Sequence, residues 1–219
     1  MTWSENPPVV VVLAKQFNPS VFSQVWLTKN GILDAEGAVR PNSVFTEHLV
    51  QAVTDDFVFA VMAGQMQLIP NIEPSLQQRL ITDKLGTIIE RLPHVPYYAV
   101  GLNFNWILDP DGKNVPTLSR ALFASRNDGI YSRFSEPNAR FGAYLSKDFG
   151  LFRMKLDIKP HNVELPSGEP SERIVFSFNF HADIPKDTDS VEALRKMLSL
   201  WDAAREEVAL TIEAVEPEA

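Results

Sequence analysis

The 219-residue chain contains no cysteine. This absence excludes disulfide bonds, thiolate metal sites and cysteine nucleophiles, and it fits a reducing compartment. Long apolar runs are also missing, since the run Val9–Ala14 is far too short to span a bilayer and no basic, apolar leader precedes it. We therefore expect a cytoplasmic protein that has no membrane partner.

Positive charge is scarce and scattered. The chain has 20 Lys and Arg against 28 Asp and Glu, which gives a net charge of −8, and its basic residues form no cluster larger than a pair. A protein that binds a nucleic acid duplex needs a basic stripe to neutralise phosphates. Nucleic acid is therefore not expected as a partner.

Familiar motifs of catalysis are missing as well. The ten glycines are too widely spaced to form a phosphate-binding loop, a dinucleotide fingerprint or a nucleophile elbow. The four histidines include no pair at the spacing of a helical metal site. No catalytic residue and no metal ligand can be assigned, and no cofactor is expected. Whether the chain is an enzyme stays open.

The best-specified element that is present is the predicted strand Pro96–Leu108, whose side chains alternate between two faces. One face is apolar throughout and must be covered. The other face becomes polar at Asn103 and Asn105, although asparagine is depleted in strands. This polar face is interpreted either as a solvated surface or as a floor of amides beneath a ligand or partner.

Hydrophobic periodicity predicts the remaining elements. The further strands are expected near residues 9–13, 44–53, 57–62, 65–69, 139–146, 150–159 and 173–184. The helices are expected at residues 19–29, 73–92, 115–126 and 188–212. Residues 9–13 and 57–62 are apolar on both faces, which predicts interior strands, and we expect 9–13 either to be covered on both sides or to lie at a dimer contact. Loops are expected at 33–43 with Gly37, at 130–138 and at 160–172, and the tail with Glu216 and Glu218 is expected to fray.

The order of these elements suggests a duplication. It reads β-α-β-β-β-α twice, so we predict one α+β domain, 1–219, built from two similar halves, 1–92 and 93–219. Two such units would form a curved antiparallel sheet with the long helices packed on one face. In topology this arrangement resembles the pseudo-symmetric saddle of TBP-like folds. The resemblance is an analogy of element order alone, because no motif identifies a family.

Two predicted strands share a pattern in which polar residues bracket a buried Phe. Asn103 and Asn105 flank Phe104, and Asn179 and His181 flank Phe180. If the duplication places these strands side by side, their polar side chains meet on one sheet face. The candidate polar binding site therefore comprises Asn103, Asn105, Ser177, Asn179 and His181, with Lys155 and Asp157 nearby. A separate candidate partner contact is Trp26, because its short helix carries a second aromatic residue.

The absence of catalytic spacing favours a non-enzymatic binding or interaction protein. Such a protein would use the curved sheet face or a sheet edge to hold a protein partner or a second copy of itself. The alternative is a small-ligand-binding protein or enzyme, with its site between sheet and helices around Asn103, Asn105, Asn179 and His181. A closed pocket around these residues would favour the alternative, and an open face would favour an interaction surface.

Overall fold

The computed structural model describes residues 1–34, 39–124, 128–164, 168 and 170–215. The strands are β1 Thr2–Ala14, β2 Val44–Phe45, β3 Val50–Val53, β4 Phe57–Met62, β5 Gln65–Pro70, β6 Tyr97–Asp109, β7 Ala143–Phe149, β8 Phe152–Glu164 and β9 Pro170–Asp183. The helices are α1 Gln24–Lys29, α2 Pro74–Arg91, α3 Val115–Phe123, α4 Asp128–Tyr131, α5 Ser190–Leu198 and α6 Trp201–Glu213. None of the helices among these residues is long and apolar enough to cross a membrane.

The nine strands form one antiparallel sheet in the order β2-β3-β4-β5-β1-β6-β9-β8-β7. The predicted α+β class with an antiparallel sheet is therefore confirmed. The long strands β1 and β6 pair at the centre of the sheet, and β2 and β7 form its two edges. The central position of β6 agrees with its alternating pattern, because a strand that is apolar along one whole face requires neighbours and a cover.

The helices pack on one face of the sheet, which we call the helix face. Phe104 of β6 is fully buried there, and its ring centroid lies 4.7 Å from that of Trp201 at the start of α6. On the same face, Phe22 contacts Phe59 of β4, and Phe123 of α3 contacts Phe176 of β9. We call the opposite face the open face, because no helix in the described part of the chain packs against it.

Strand β1 therefore differs from the prediction that it is covered on both sides. Val10 and Val12 point to the helix face and are 0% exposed, whereas Val9, Val11 and Leu13 point to the open face and are half-buried. The same contrast holds in β4, where Phe59 is buried and Val58 is half-buried. Apolar residues on both faces correctly predicted that β1 and β4 are interior strands. They did not show whether helices cover one face of these strands or both.

Two predicted helices and one predicted strand are divided by local turns. The segment 19–29 is a 3-10 turn capped by the Asn18 side chain, followed by α1, which begins because the Ser23 hydroxyl accepts a hydrogen bond from the Trp26 amide. The predicted helix 188–212 is broken between α5 and α6. The segment 44–53 is two short strands, because the Thr46 side chain closes a turn with Leu49. Helix α2 lies where its apolar periodicity predicted it.

The predicted loop at 160–172 is mostly strand. β8 continues to Glu164 and β9 begins at Pro170, with cross-strand pairs as far as Glu164–Pro170. Pairing between neighbouring strands overrides the loop-forming composition of this segment. The segment 130–138 contains helical turns rather than irregular chain only, since α4 and a 3-10 turn at Ser132–Phe134 lie there.

A β-bulge changes which tyrosine at the start of β6 is buried. The register between β1 and β6 shifts between Leu13–Ala99 and Ala14–Tyr97. Tyr97 is therefore buried and Tyr98 is 43% exposed, the reverse of the strict alternation. Gly37, residues 125–127 at the end of the predicted helix 115–126, residues 165–167 and 169, and the tail residues Glu216 and Glu218 lie outside the described residues. Glu213, which was also expected in the frayed tail, is the last residue of α6.

Candidate functional site

The five predicted polar residues lie together on the open face, on the adjacent strands β6 and β9. The strand register places Asn103 opposite Asn179 and Asn105 opposite Ser177, while His181 lies opposite Gly101. Residues paired across an antiparallel ladder point to the same side of the sheet, so the five side chains form one surface. We call these residues the amide patch: Asn103, Asn105, Ser177, Asn179 and His181.

Two asparagines of the amide patch are hydrogen-bonded to each other. The Asn179 Nδ2 group donates to Asn103 Oδ1 over 2.6 Å, and Asn103 Nδ2 donates to the backbone carbonyl of Val9 over 3.4 Å. Val9 follows Pro7-Pro8, where the β1–β6 register shifts. The Asn103 side chain therefore links β6 to β1 next to the point at which the register shifts. Asn103 thus has a structural role beside any role in binding.

Gly101 lies at the centre of the amide patch and is buried beneath the neighbouring side chains. A Cβ atom at this position would lie 3.4 Å from Asn103 Nδ2 and 3.5 Å from Asn179 Nδ2, which are ordinary contact distances. His181, opposite Gly101, has a side chain that is 32% exposed and an Nε2 atom 3.2 Å from Asp183 Oδ1. The polar side chains, and not the backbone of β6, therefore form the surface at this point.

Charged residues of β8 border the amide patch. Arg153 lies opposite His181 and is paired with Asp148, and Lys159 is paired with Asp157, at distances of 2.8 Å and 2.6 Å. Lys155 lies opposite Asn179, is exposed and forms no ion pair with any described residue. Carboxylates thus balance most of the positive charge on this part of the open face.

An apolar surface adjoins the amide patch, and sequence reasoning did not predict it as part of a site. It consists of half-buried side chains on β1, β4 and β5. We call them the apolar patch: Val9, Val11, Leu13, Val58, Ala60 and Ile69. The apolar patch adjoins the amide patch because Val9 lies opposite Asn103, and Val11 lies opposite Gly101 on one side and Gln67 on the other. The feature of the sequence that could have predicted the apolar patch is the apolar character of both faces in the segments 9–13 and 57–62.

The location of the amide patch corrects the alternative that placed a ligand site between sheet and helices. Asn103, Asn105, Asn179 and His181 point away from the helices, because the alternate residues of the same strands, such as Phe104 and Phe180, fill the helix face. The space between sheet and helices is occupied by the apolar core. The amide patch is an open surface and not a closed pocket.

Trp26 lies away from the amide patch. Its ring packs edge-on against buried Phe22 at a centroid distance of 5.5 Å, and the side chain is half-buried against the core. Its neighbour Val25 is the exposed apolar residue of this short helix, at 71% exposure. A role for Trp26 as a partner contact remains a prediction.

Two further clefts among the described residues contain no pair of a nucleophile and a base. A cleft of about 320 Å³ beside the start of α2 is lined by prolines and by Glu5, which forms an ion pair with Arg205. An apolar cleft of about 250 Å³ is lined by exposed His94 together with Phe17 and Phe22. Burial raises the pKa of Tyr97, so that this phenol stays neutral. Among the described residues, no three acidic, histidine or cysteine side chains converge as a metal site.

Comparisons of the chain with protein-family models, with curated proteins and with solved structures gave no match. The candidate site is therefore described from its own side chains. It is a sheet surface that no helix of the described residues covers, with hydrogen-bonding groups on β6 and β9 and apolar side chains on β1, β4 and β5. Gln65 and Gln67 of β5 lie between the apolar residues of β1 and β4.

Proposed function

We propose that the protein is a non-enzymatic interaction protein that binds a protein partner through the open face of its sheet. The observation that carries this proposal is the continuity of two chemically different surfaces, since Val9 of the apolar patch lies directly opposite Asn103 of the amide patch. Protein interfaces combine apolar contacts with a limited number of directed hydrogen bonds. The open face offers both within one sheet.

The chemistry of the open face supports a protein partner over nucleic acid. Arg153, Lys159 and Arg173 are each paired with a carboxylate, which leaves little net positive charge to neutralise phosphates. In contrast, Asn105 and Ser177 have side chains that donate to and accept from no described residue, so their hydrogen-bonding capacity is available to a peptide group.

The proposal is tested by placing a photo-crosslinking amino acid at Val11 on the open face and, as a control, at Leu76 on α2. Leu76 is 53% exposed and lies on the helix side of the molecule, so it is more accessible than Val11. We expect irradiation in the cells that produce the protein to give a discrete product with a different protein from the Val11 position. The Leu76 position should give none.

A cross-linked product of equal yield from the Val11 and Leu76 positions would contradict the proposal, because the solvent exposure of the probe alone would then explain the cross-linking. Failure of both positions to give a product, in cells in which the protein is folded and abundant, would contradict it as well. A second probe at Ser177 extends the test to the amide patch. If Ser177 reacts with the same protein as Val11, both patches belong to one interface.

We also infer that the halves 1–92 and 93–219 are structural repeats with the saddle-like topology expected of TBP-like folds. Support comes from the strand order, which read outward from the centre is β1, β5, β4, β3 and the two-residue β2 on one side and β6, β9, β8, β7 on the other. Without β2, the two sides match strand for strand. The helical segments after β1 and β6 are also both capped by an asparagine, Asn18 and Asn114. In this view the open face extends across the join of the two halves.

An experimental structure tests the repeat directly. A two-fold rotation that exchanges β1 and β6 should superpose β3, β4 and β5 on β7, β8 and β9, and α2 on the α5–α6 pair. A rotation that aligns only the two central strands would overturn the inference.

A further inference from the structure

Strand β7 is an edge of the sheet. It pairs with β8 along all seven of its residues without a register shift, and no strand among the described residues pairs with its other side. Edge strands are commonly protected by proline, by a bulge, by charged side chains or by being very short. The opposite edge, β2, has only two residues, whereas β7 has seven, contains no proline or bulge, and carries one charge of each sign, Lys147 and Asp148.

The charges of β7 are compensated from within the molecule. Lys147 Nζ lies 2.5 Å from Glu207 of α6, and Asp148 lies 2.8 Å from Arg153 of β8. Both partners lie on the side of β7 that faces the rest of the protein. The edge is therefore locally neutral, and an identical edge could approach it without like-charge repulsion.

Apolar side chains surround this neutral edge. Tyr144 is 65% exposed and Leu145 is 56% exposed. Leu145 also lines a groove of about 320 Å³ on the helix face, which includes buried Met154 and Leu156. An edge strand that presents free backbone groups beside an apolar groove fits the addition of another strand.

We propose that this strand is supplied by a second copy of the chain, with β7 pairing antiparallel to itself about a two-fold axis through Leu145. A two-fold axis perpendicular to the sheet brings identical residues together and keeps each side chain on its own face. Leu145 then contacts Leu145 of the second copy, and Tyr144 lies opposite Ser146. On the helix face, Lys147 lies opposite the small residue Ala143. The arrangement joins two apolar leucines at the axis and places no two like charges opposite each other.

Light scattering coupled to size-exclusion chromatography tests the proposal on the full chain. We expect a particle of twice the chain mass of 24.6 kDa. Leu145→Lys places two ammonium groups at the axis, so we expect the dimer dissociation constant to rise by roughly a hundredfold or more. Leu76→Lys, at a similarly exposed leucine on α2, is the matched control and should leave the dimer intact. Circular dichroism and the melting temperature establish that both variants fold.

The absence of cysteine permits a second test that does not depend on disrupting the interface. Leu145→Cys is expected to form a disulfide-linked dimer under mild oxidation, because residues opposite each other in an antiparallel pair lie about 4.5–5.5 Å apart. Leu76→Cys should not form one. A wild-type monomer across the concentration range, a dimer that survives Leu145→Lys, or the absence of the Leu145→Cys cross-link would each overturn the proposal. Cross-linking through Ser146→Cys in place of Leu145→Cys would overturn the register.

Discussion

The two faces of the central strand β6 differ in chemistry and in burial. On the helix face, Leu102 and Phe104 are 0% exposed and belong to the apolar core. On the open face, the intervening residues Asn103 and Asn105 are polar and half-buried, and Asn103 is hydrogen-bonded to Asn179. Because side chains alternate along a strand, neighbouring residues of β6 belong to separate environments. The comparison predicts that mutations on the two faces have very different effects.

The largest effect is expected at Phe104 on the helix face. Its ring contacts Trp201 and Phe180, at centroid distances of 4.7 Å and 5.9 Å, and the side chain is fully buried. Phe104→Ala should lower the free energy of unfolding by about 3–5 kcal/mol, through lost burial and the cavity left behind. Urea denaturation followed by tryptophan fluorescence measures this change. A loss below about 1 kcal/mol would show that Phe104 is not part of the core.

Val12 and Val11 provide the sharpest comparison of the two faces, since they are adjacent and of the same residue type. Val12 is 0% exposed on the helix face and Val11 is half-buried on the open face. Val12→Ala should cost about 2 kcal/mol of unfolding free energy and Val11→Ala less than about 1 kcal/mol, since the second side chain remains partly hydrated. Equal costs in urea denaturation would mean that a layer covers the open face as well.

A smaller effect is expected within the amide patch. Asn103→Ala removes the acceptor of the 2.6 Å bond from Asn179 and the donor to the Val9 carbonyl. We expect a loss of about 1 kcal/mol, because both amides are only partly buried. Asn179→Ala should cost a similar amount, and the double variant should cost less than the sum of the two. Strictly additive losses in the same denaturation assay would contradict the coupling of the two amides.

The smallest effect is expected at Asp111, which lies at the end of the central strand pair and contributes to neither face. The pKa of this exposed carboxyl lies below its usual value. The carboxyl accepts hydrogen bonds from the N-terminal amine and from Thr2, and the positive charge of the amine lowers the pKa further. A carboxyl with a lowered folded-state pKa contributes stability above its unfolded-state pKa of about 3.9 and loses it as the pH falls through the folded-state value.

Asp111→Asn should therefore lower the melting temperature slightly at neutral pH and should leave it unchanged at a pH below both pKa values. Thermal melts of the two proteins between pH 7 and acidic pH measure this difference. A difference that grows as the pH falls would contradict the assigned sign.

Several features of the fold were predictable because they depend on local pattern. The apolar repeat of α2 and the alternation of β6 each specify their element and the face that it buries. The grouping of Asn103, Asn105, Ser177, Asn179 and His181 also followed once the two strands were placed side by side. In contrast, the break before α6, the extension of β8 and β9 through the predicted loop and the bulge at Tyr98 depend on contacts between distant segments.

The sequence by itself determined most of the strands and helices and the apolar side of β6, because these properties follow from side-chain chemistry and backbone period, and it predicted that the long helices pack on one face. Only the tertiary structure decided that no described helix covers the second apolar face of β1, and that Val9, Val11 and Leu13 adjoin the asparagines on the open face. It also decided that β7 ends the sheet with neutralised charges. These outcomes depend on strand order and register, which join residues far apart in the chain and are not written in any local pattern.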